Sequence, residues 1–360
     1  MLKKYISIFA AAAIFMTSAL SFASCVKVNT VVPETTTESV IEEPVIPLRQ
    51  MSPDRNPLTG LGGYEQGYAG QKFIGIVVEN FPEARPQWGM STPDILMEYE
   101  VEGGISRMLW LYANASRIPA KVGPVRSARH DPVELALGGD MLFIHCGGSY
   151  IALGLIDRHP ELSHIDGMRS YDFFIRDTER NTAYEHRLCL IGDKFREQLG
   201  SLDIDMTADP EKTVPFIFSD QGAPRALNGT ACSDIRFSYS DSYRFEFTYD
   251  AGTSLYLCSL NGSPRTDDAG IQCAYSNVMV LYTDIVDTGD SDHHQDFLFE
   301  NGGKGLYING GVCEEITWAK PTQTDMLKLY GADGNELVLN CGTSYIGFVR
   351  STRGSLTSIE

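Results

Sequence analysis

The chain has 360 residues, 43% of them hydrophobic and 21% charged, which is ordinary for a globular protein with enough apolar material for two cores. Its 47 acidic residues against 29 Lys and Arg give a formal charge of −18 at pH 7. Such a chain is repelled by nucleic acid and by anionic lipid head groups, so its acidity speaks for solubility and excludes a nucleic-acid partner.

Met1-Leu2-Lys3-Lys4 opens the chain, an uncharged apolar run follows from Tyr5 to Leu20, and the small residues Ala23 and Ser24 precede Cys25. A basic start, an apolar middle and small residues before a cut make 1–24 a signal peptide. Phe22-Ala23-Ser24-Cys25 resembles the lipobox of bacterial lipoproteins, although Leu is usual where Phe22 stands. The resemblance implies that Cys25 receives diacylglycerol and holds the protein on the outer face of the cytoplasmic membrane. Two acyl chains anchor stably, whereas one is marginal. Residues 25–50, rich in Pro, Thr and Glu, read as a hydrated spacer that buries no core.

From 51 to 209 short strands and helices alternate, the pattern of a mixed α/β (α+β) domain. Strands are predicted over Phe73–Val78, Ile105–Tyr112 and Met141–Ile144. Helices are predicted from Ser91-Thr92-Pro93-Asp94, from Asp131-Pro132 to Leu137, from the cap Ser149 toward Asp157, and over Asp193–Leu199. From 210 to 360 strand-like runs dominate, at Tyr243–Tyr249, Ser254–Ser259, Ser276–Asp284, Gly305–Ile308 and Glu336–Leu339. Gly- and Asp-rich turns separate them, so this part reads as a mainly antiparallel β-rich domain.

Four polar segments carry the chemistry. They are Glu79-Asn80-Phe81-Pro82-Glu83-Ala84-Arg85-Pro86-Gln87, Glu98 to Arg107, Gly123-Pro124-Val125-Arg126-Ser127-Ala128-Arg129, and Phe174 to Arg180 with Glu185-His186 beyond. Together, and most specifically in Glu102-Gly103-Gly104-Ile105-Ser106-Arg107 and Gly123 to Arg129, they resemble the YerB-like lipoproteins of Gram-positive bacteria. The likeness extends over nearly the whole mature chain and implies an envelope location and two domains of unknown function. It implies no reaction. Where the family carries Pro-His-Asn, this chain reads Ala183-Tyr184-Glu185-His186-Arg187.

Guanidinium groups suit bidentate recognition of carboxylate and phosphate. The candidate binding residues are therefore Arg85, Glu102, Arg107, Arg126, Ser127, Arg129, Arg176, Asp177, Arg180 and His186. Three readings of the cluster stand side by side. One is an Arg–carboxylate network that fixes loops. Another is a binding site for an anionic or sugar-like wall component or a wall-synthesis protein. The third is a glycan-cleaving site with Glu98, Glu102 and Asp177 as candidate catalytic carboxylates, one of which must be neutral. The first domain is expected to carry the contact and the second to support it.

No cofactor and no metal site is expected. Seven scattered cysteines, none in a C-x-x-C pair, read as buried thiols rather than a zinc cluster. The run from Asp284 to Asp296 reads as a solvated hairpin loop, lacking the Gly and Glu of a calcium loop. Cys146-Gly147-Gly148-Ser149 beside His145 is not a nucleophile elbow.

Overall fold

Runs of β-branched and aromatic residues, each with both faces apolar, build one large sheet through the chain. The structure is a computed structural model that describes residues 51–360, so the signal peptide, Cys25 and the spacer lie outside the described residues. The first part contributes β1 (Ile74–Glu79), β2 (Ile95–Glu100), β3 (Ser106–Tyr112), α1 (His130–Gly138), β4 (Leu142–His145), α2 (Tyr150–Arg158), β5 (His164–Asp166) and α3 (Gly192–Leu199). The second contributes β6 (Asp234–Ser240), β7 (Tyr243–Asp250), β8 (Leu255–Leu260), β9 (Asn277–Thr283), β10 (Ile285–Asp287), β11 (Gln295–Phe297), β12 (Gly303–Asn309), β13 (Val312–Ala319) and β14 (Ser344–Arg350). The mixed α/β first part and the β-rich second part are both present.

The large sheet runs Thr230–Ala231, β13, β12, β9, β14, β2, β3, β1, β4, β5. β2 pairs with β14 in parallel, so strands of the first and second parts are hydrogen-bonded neighbours. Parallel pairing of β1 with β4, β4 with β5, β2 with β14 and β9 with β14, and antiparallel pairing of β3 with β1 and β2, gives six strands one direction. Their carboxyl ends, at Asp166, His145, Glu79, Glu100, Arg350 and Thr283, lie along one edge.

α1 and α2 cover one face of this sheet, with Val133, Leu137 and Leu155 packed among Val77, Leu109 and Phe143. The opposite face is covered by Phe195 of α3 and by the β6–β7–β8 sheet, whose Phe237, Phe245 and Phe247 pack on Tyr345 of β14.

The helix expected from Ser91 is absent, and the chain enters β2 there instead. Ser91 donates to Asp267 rather than capping a turn, and the fully buried Asp94 accepts from the Ala113 amide, Asn56 and Arg117. With both faces of Ile95–Tyr99 buried, tertiary packing overrides the local cap signal. The other predicted helices and the long strands are in place. Glu336–Leu339 shortens to Val338–Leu339. The seven described cysteines are free thiols, five of them buried.

Candidate functional site

Loops after the carboxyl ends of aligned strands are where open sheets with covering helices place their ligands. Here those loops carry the arginines and carboxylates, but the structure divides them into separate groups.

Glu98 sits in the middle of the molecule with no exposed surface. Arg265, from the second part of the chain, donates to both of its oxygens at 2.6 and 3.3 Å, and Tyr345 donates at 3.1 Å. Asn80 and Ser106 complete its shell at 2.8 and 2.5 Å. Arg85 holds Asn80 in place through its side-chain and main-chain oxygens and lies over the Tyr243 ring. A carboxylate so enclosed stitches the two parts together and meets no substrate.

Glu79, at the end of β1, forms the next group. His186 approaches one oxygen at 2.7 Å, and the Nε of Arg126 lies 2.9 Å from the other. The His186 ring stacks on Phe81, so the imidazole is fixed in plane.

Glu102 leaves the line of Glu98 and Glu100. β2 ends at Glu100, which pairs with Arg350, and Gly103 and Gly104 turn the chain back at φ 72° and 69°. The three glutamates therefore do not share a face. Arg129 grips Glu102 bidentately at 2.5 and 2.8 Å. Burial acts to raise the Glu102 carboxyl, but the bonds and charge of Arg129 outweigh it and hold the group below its ordinary value.

Arg107, on β3 between Glu79 and Tyr99, is only 5% exposed, yet it makes no ion pair among the described residues. Its Nη1 donates to the Ser127 carbonyl at 2.9 Å, and its Nε has no partner. Burial, then the charge of Arg129, draws the guanidinium down to about 10, and Arg126 adds to the effect. The Tyr99 hydroxyl beside it is also buried without a partner. Buried polar groups are normally satisfied, so such exceptions need a reason.

The Phe174–Arg180 segment stands apart. Asp177 pairs with Lys121 and is held low chiefly by that bond. Arg180 donates to the Ala84 and Pro86 carbonyls and lies over Trp88, while Arg176 donates to the Tyr184 carbonyl and covers its ring. These residues lock one loop onto another. Ser127 contributes its carbonyl rather than its hydroxyl.

Glu98, Glu102 and Asp177 thus each face a cation, and neither Glu102 nor Asp177 has the raised pKa of a general acid. His145 is buried against His164 and the Gly147 carbonyl, and Ser149 caps α2, so no nucleophile–base pair forms there. Sequence reasoning missed Arg265 and Tyr345, and it read His294 and Asp296 as part of a solvated hairpin loop, whereas His294 is buried and the second part brings all four to the first part's polar groups. Nothing local marks Arg265, because its carboxylate partner is 167 positions away.

Two family profiles match, Protein of unknown function (DUF3048) N-terminal domain over residues 58–205 and its C-terminal domain over residues 234–346. The chain is 31% identical over 278 residues to the protein named "Putative lipoprotein YerB" of Bacillus subtilis (strain 168), across 73% of this chain and 77% of that one. The crystal structure of YerB protein from Bacillus subtilis matches with a TM-score of 0.72 at 27% identity, over 85% of this chain and 99% of the other.

Proposed function

From the premise that this chain belongs to the YerB-like DUF3048 family, whose relative carries the name "Putative lipoprotein YerB", we propose a non-enzymatic binding protein anchored by Cys25 to the outer face of the membrane. Its ligand is an anionic group, carboxylate or phosphate, of a cell-wall component. One observation carries this reading: Arg107 is a buried guanidinium without a carboxylate of its own, flanked by Arg126 and Arg129. Arg126 and Arg129 keep partly exposed side chains beside it, each shared with a carboxylate of the chain, so an anion that reaches Arg107 adds the missing counter-charge in a site of reduced dielectric. Glycan cleavage asks for a neutral carboxylic acid opposite an ionised one; Glu98 is fully enclosed, and Glu102 and Asp177 are both held below the ordinary carboxylate value.

The test joins binding to stability. The full chain and its Arg107→Met and Arg126→Ala variants are titrated with purified wall fragments and with inorganic phosphate, and melted in parallel. Binding weakened roughly 10- to 100-fold is expected in both, in line with the loss of charge-assisted bonds, with native-like melting for Arg107→Met and a lower melting temperature for Arg126→Ala, which leaves the buried Glu79 with His186 alone. Unchanged binding in both variants overturns the reading. For the anchor, a fatty-acid probe should label cells carrying the wild type and not those carrying Cys25→Ala; equal labelling excludes lipidation at Cys25.

A further inference from the structure

We infer that His130, Asp131 and Asp296 form a site for one divalent transition-metal ion, with Zn2+ as the best fit. The inference stands apart from the anion site and does not depend on it.

α1 begins at His130, so His130 and Asp131 occupy its first turn. β11 packs against this turn, and the amide of Phe297 donates to Asp131 Oδ1 at 2.9 Å. That contact sets the preceding residue, Asp296, beside the imidazole. His130 Nε2 lies 3.1 Å from Asp296 Oδ1 and 3.6 Å from Asp131 Oδ1. One ligand atom from each residue falls within 4.8 Å of the other two. Zinc bonds of ~2.0–2.1 Å in tetrahedral array place ligand atoms about 3.3–3.4 Å apart, midway between the two observed distances. One imidazole and two carboxylates suit zinc and its first-row neighbours better than calcium or magnesium, which take all-oxygen shells.

The second observation is electrostatic. Asp131 is 3% exposed, and no Lys or Arg pairs with it among the described residues. Arg129, the nearest guanidinium in sequence, is committed to Glu102. Buried charges are paired or hold metals. The Asp296 side chain is 41% exposed, which leaves one side of the site open to water or a ligand. His294 is close by but is engaged with Asp290 at 2.5 Å.

The full chain, stripped with EDTA and exchanged into metal-free buffer, is titrated with Zn2+ by calorimetry and with Co2+ by absorption. One equivalent of Zn2+ is expected to bind, and Co2+ to show d–d bands without a thiolate charge-transfer band. Asp296→Asn, at the solvent side where folding is least disturbed, should weaken binding at least tenfold, and His130→Asn should abolish it. The absence of stoichiometric uptake by the wild type, a thiolate-to-cobalt band, or wild-type affinity in Asp296→Asn overturns the site.

Discussion

At the scale of single residues, two buried charges have opposite roles. Glu98 and Arg265 neutralise each other in the core, so Glu98→Gln leaves Arg265 without its counter-charge. Breaking a buried pair from one side costs roughly 3–5 kcal/mol. Arg107→Met removes a desolvated charge that has no carboxylate to orphan, and its melting temperature should stay level or rise. Thermal unfolding of the two variants side by side checks this; equal losses would mean that Arg107 is a structural ion like Arg265. Asp131 adds a pH signature. Its carboxyl is raised by burial above the ordinary 3.8, so as pH climbs from there the folded chain retains a proton that the unfolded chain has lost. Stability contributed by that group is full at lower pH and declines through the window up to the raised pKa. In EDTA, Asp131→Asn should flatten this decline and raise the neutral-pH melting temperature. Superimposable pH profiles for the two proteins would refute the assignment.

At the scale of elements, what could be read in advance is what local chemistry dictates. Ser149 caps α2 through a bond to the Ala152 amide, and the β-branched run at Ile74–Val78 is a buried strand. β2 was misread because Ser91-Thr92-Pro93-Asp94 has the residues of a helix start while its side chains bond to Asp267, Gly89 and Asp94's distant partners. The arginine cluster was legible as residue types. Its division into a core pair, a Glu79 group and an Arg107 group was not, because it is set by partners distant in sequence, Arg265 and Tyr345 for Glu98, His186 for Glu79 and Ser127 for Arg107. Close approaches between elements were equally hidden. Gly192 opens α3 directly against the Pro119 carbonyl, and an alanine Cβ there would run into it. Gly192→Ala should therefore cost about 1–3 kcal/mol, as overpacking does, by displacing α3 and Phe195 from the sheet. Denaturant unfolding measures it, and a midpoint equal to wild type would show that the loop yields freely.

At the scale of the whole molecule, the sheet is shared. β2 takes β14 as its parallel neighbour and Glu98 takes Arg265, so residues 51–209 alone would expose a long apolar strand edge and an unpaired buried carboxylate. That fragment should aggregate or give collapsed amide spectra, while residues 51–360 fold; a soluble, well-dispersed 51–209 would contradict the account. The position of β14 has a further consequence in time. Ser344–Arg350 is nearly the last segment of the chain, yet it lies between β2 and β9 near the centre of the sheet. A chain delivered amino end first cannot close its main sheet until almost every residue has arrived. Early strands must wait with open edges through hundreds of residues of synthesis, and such non-local closure is slow.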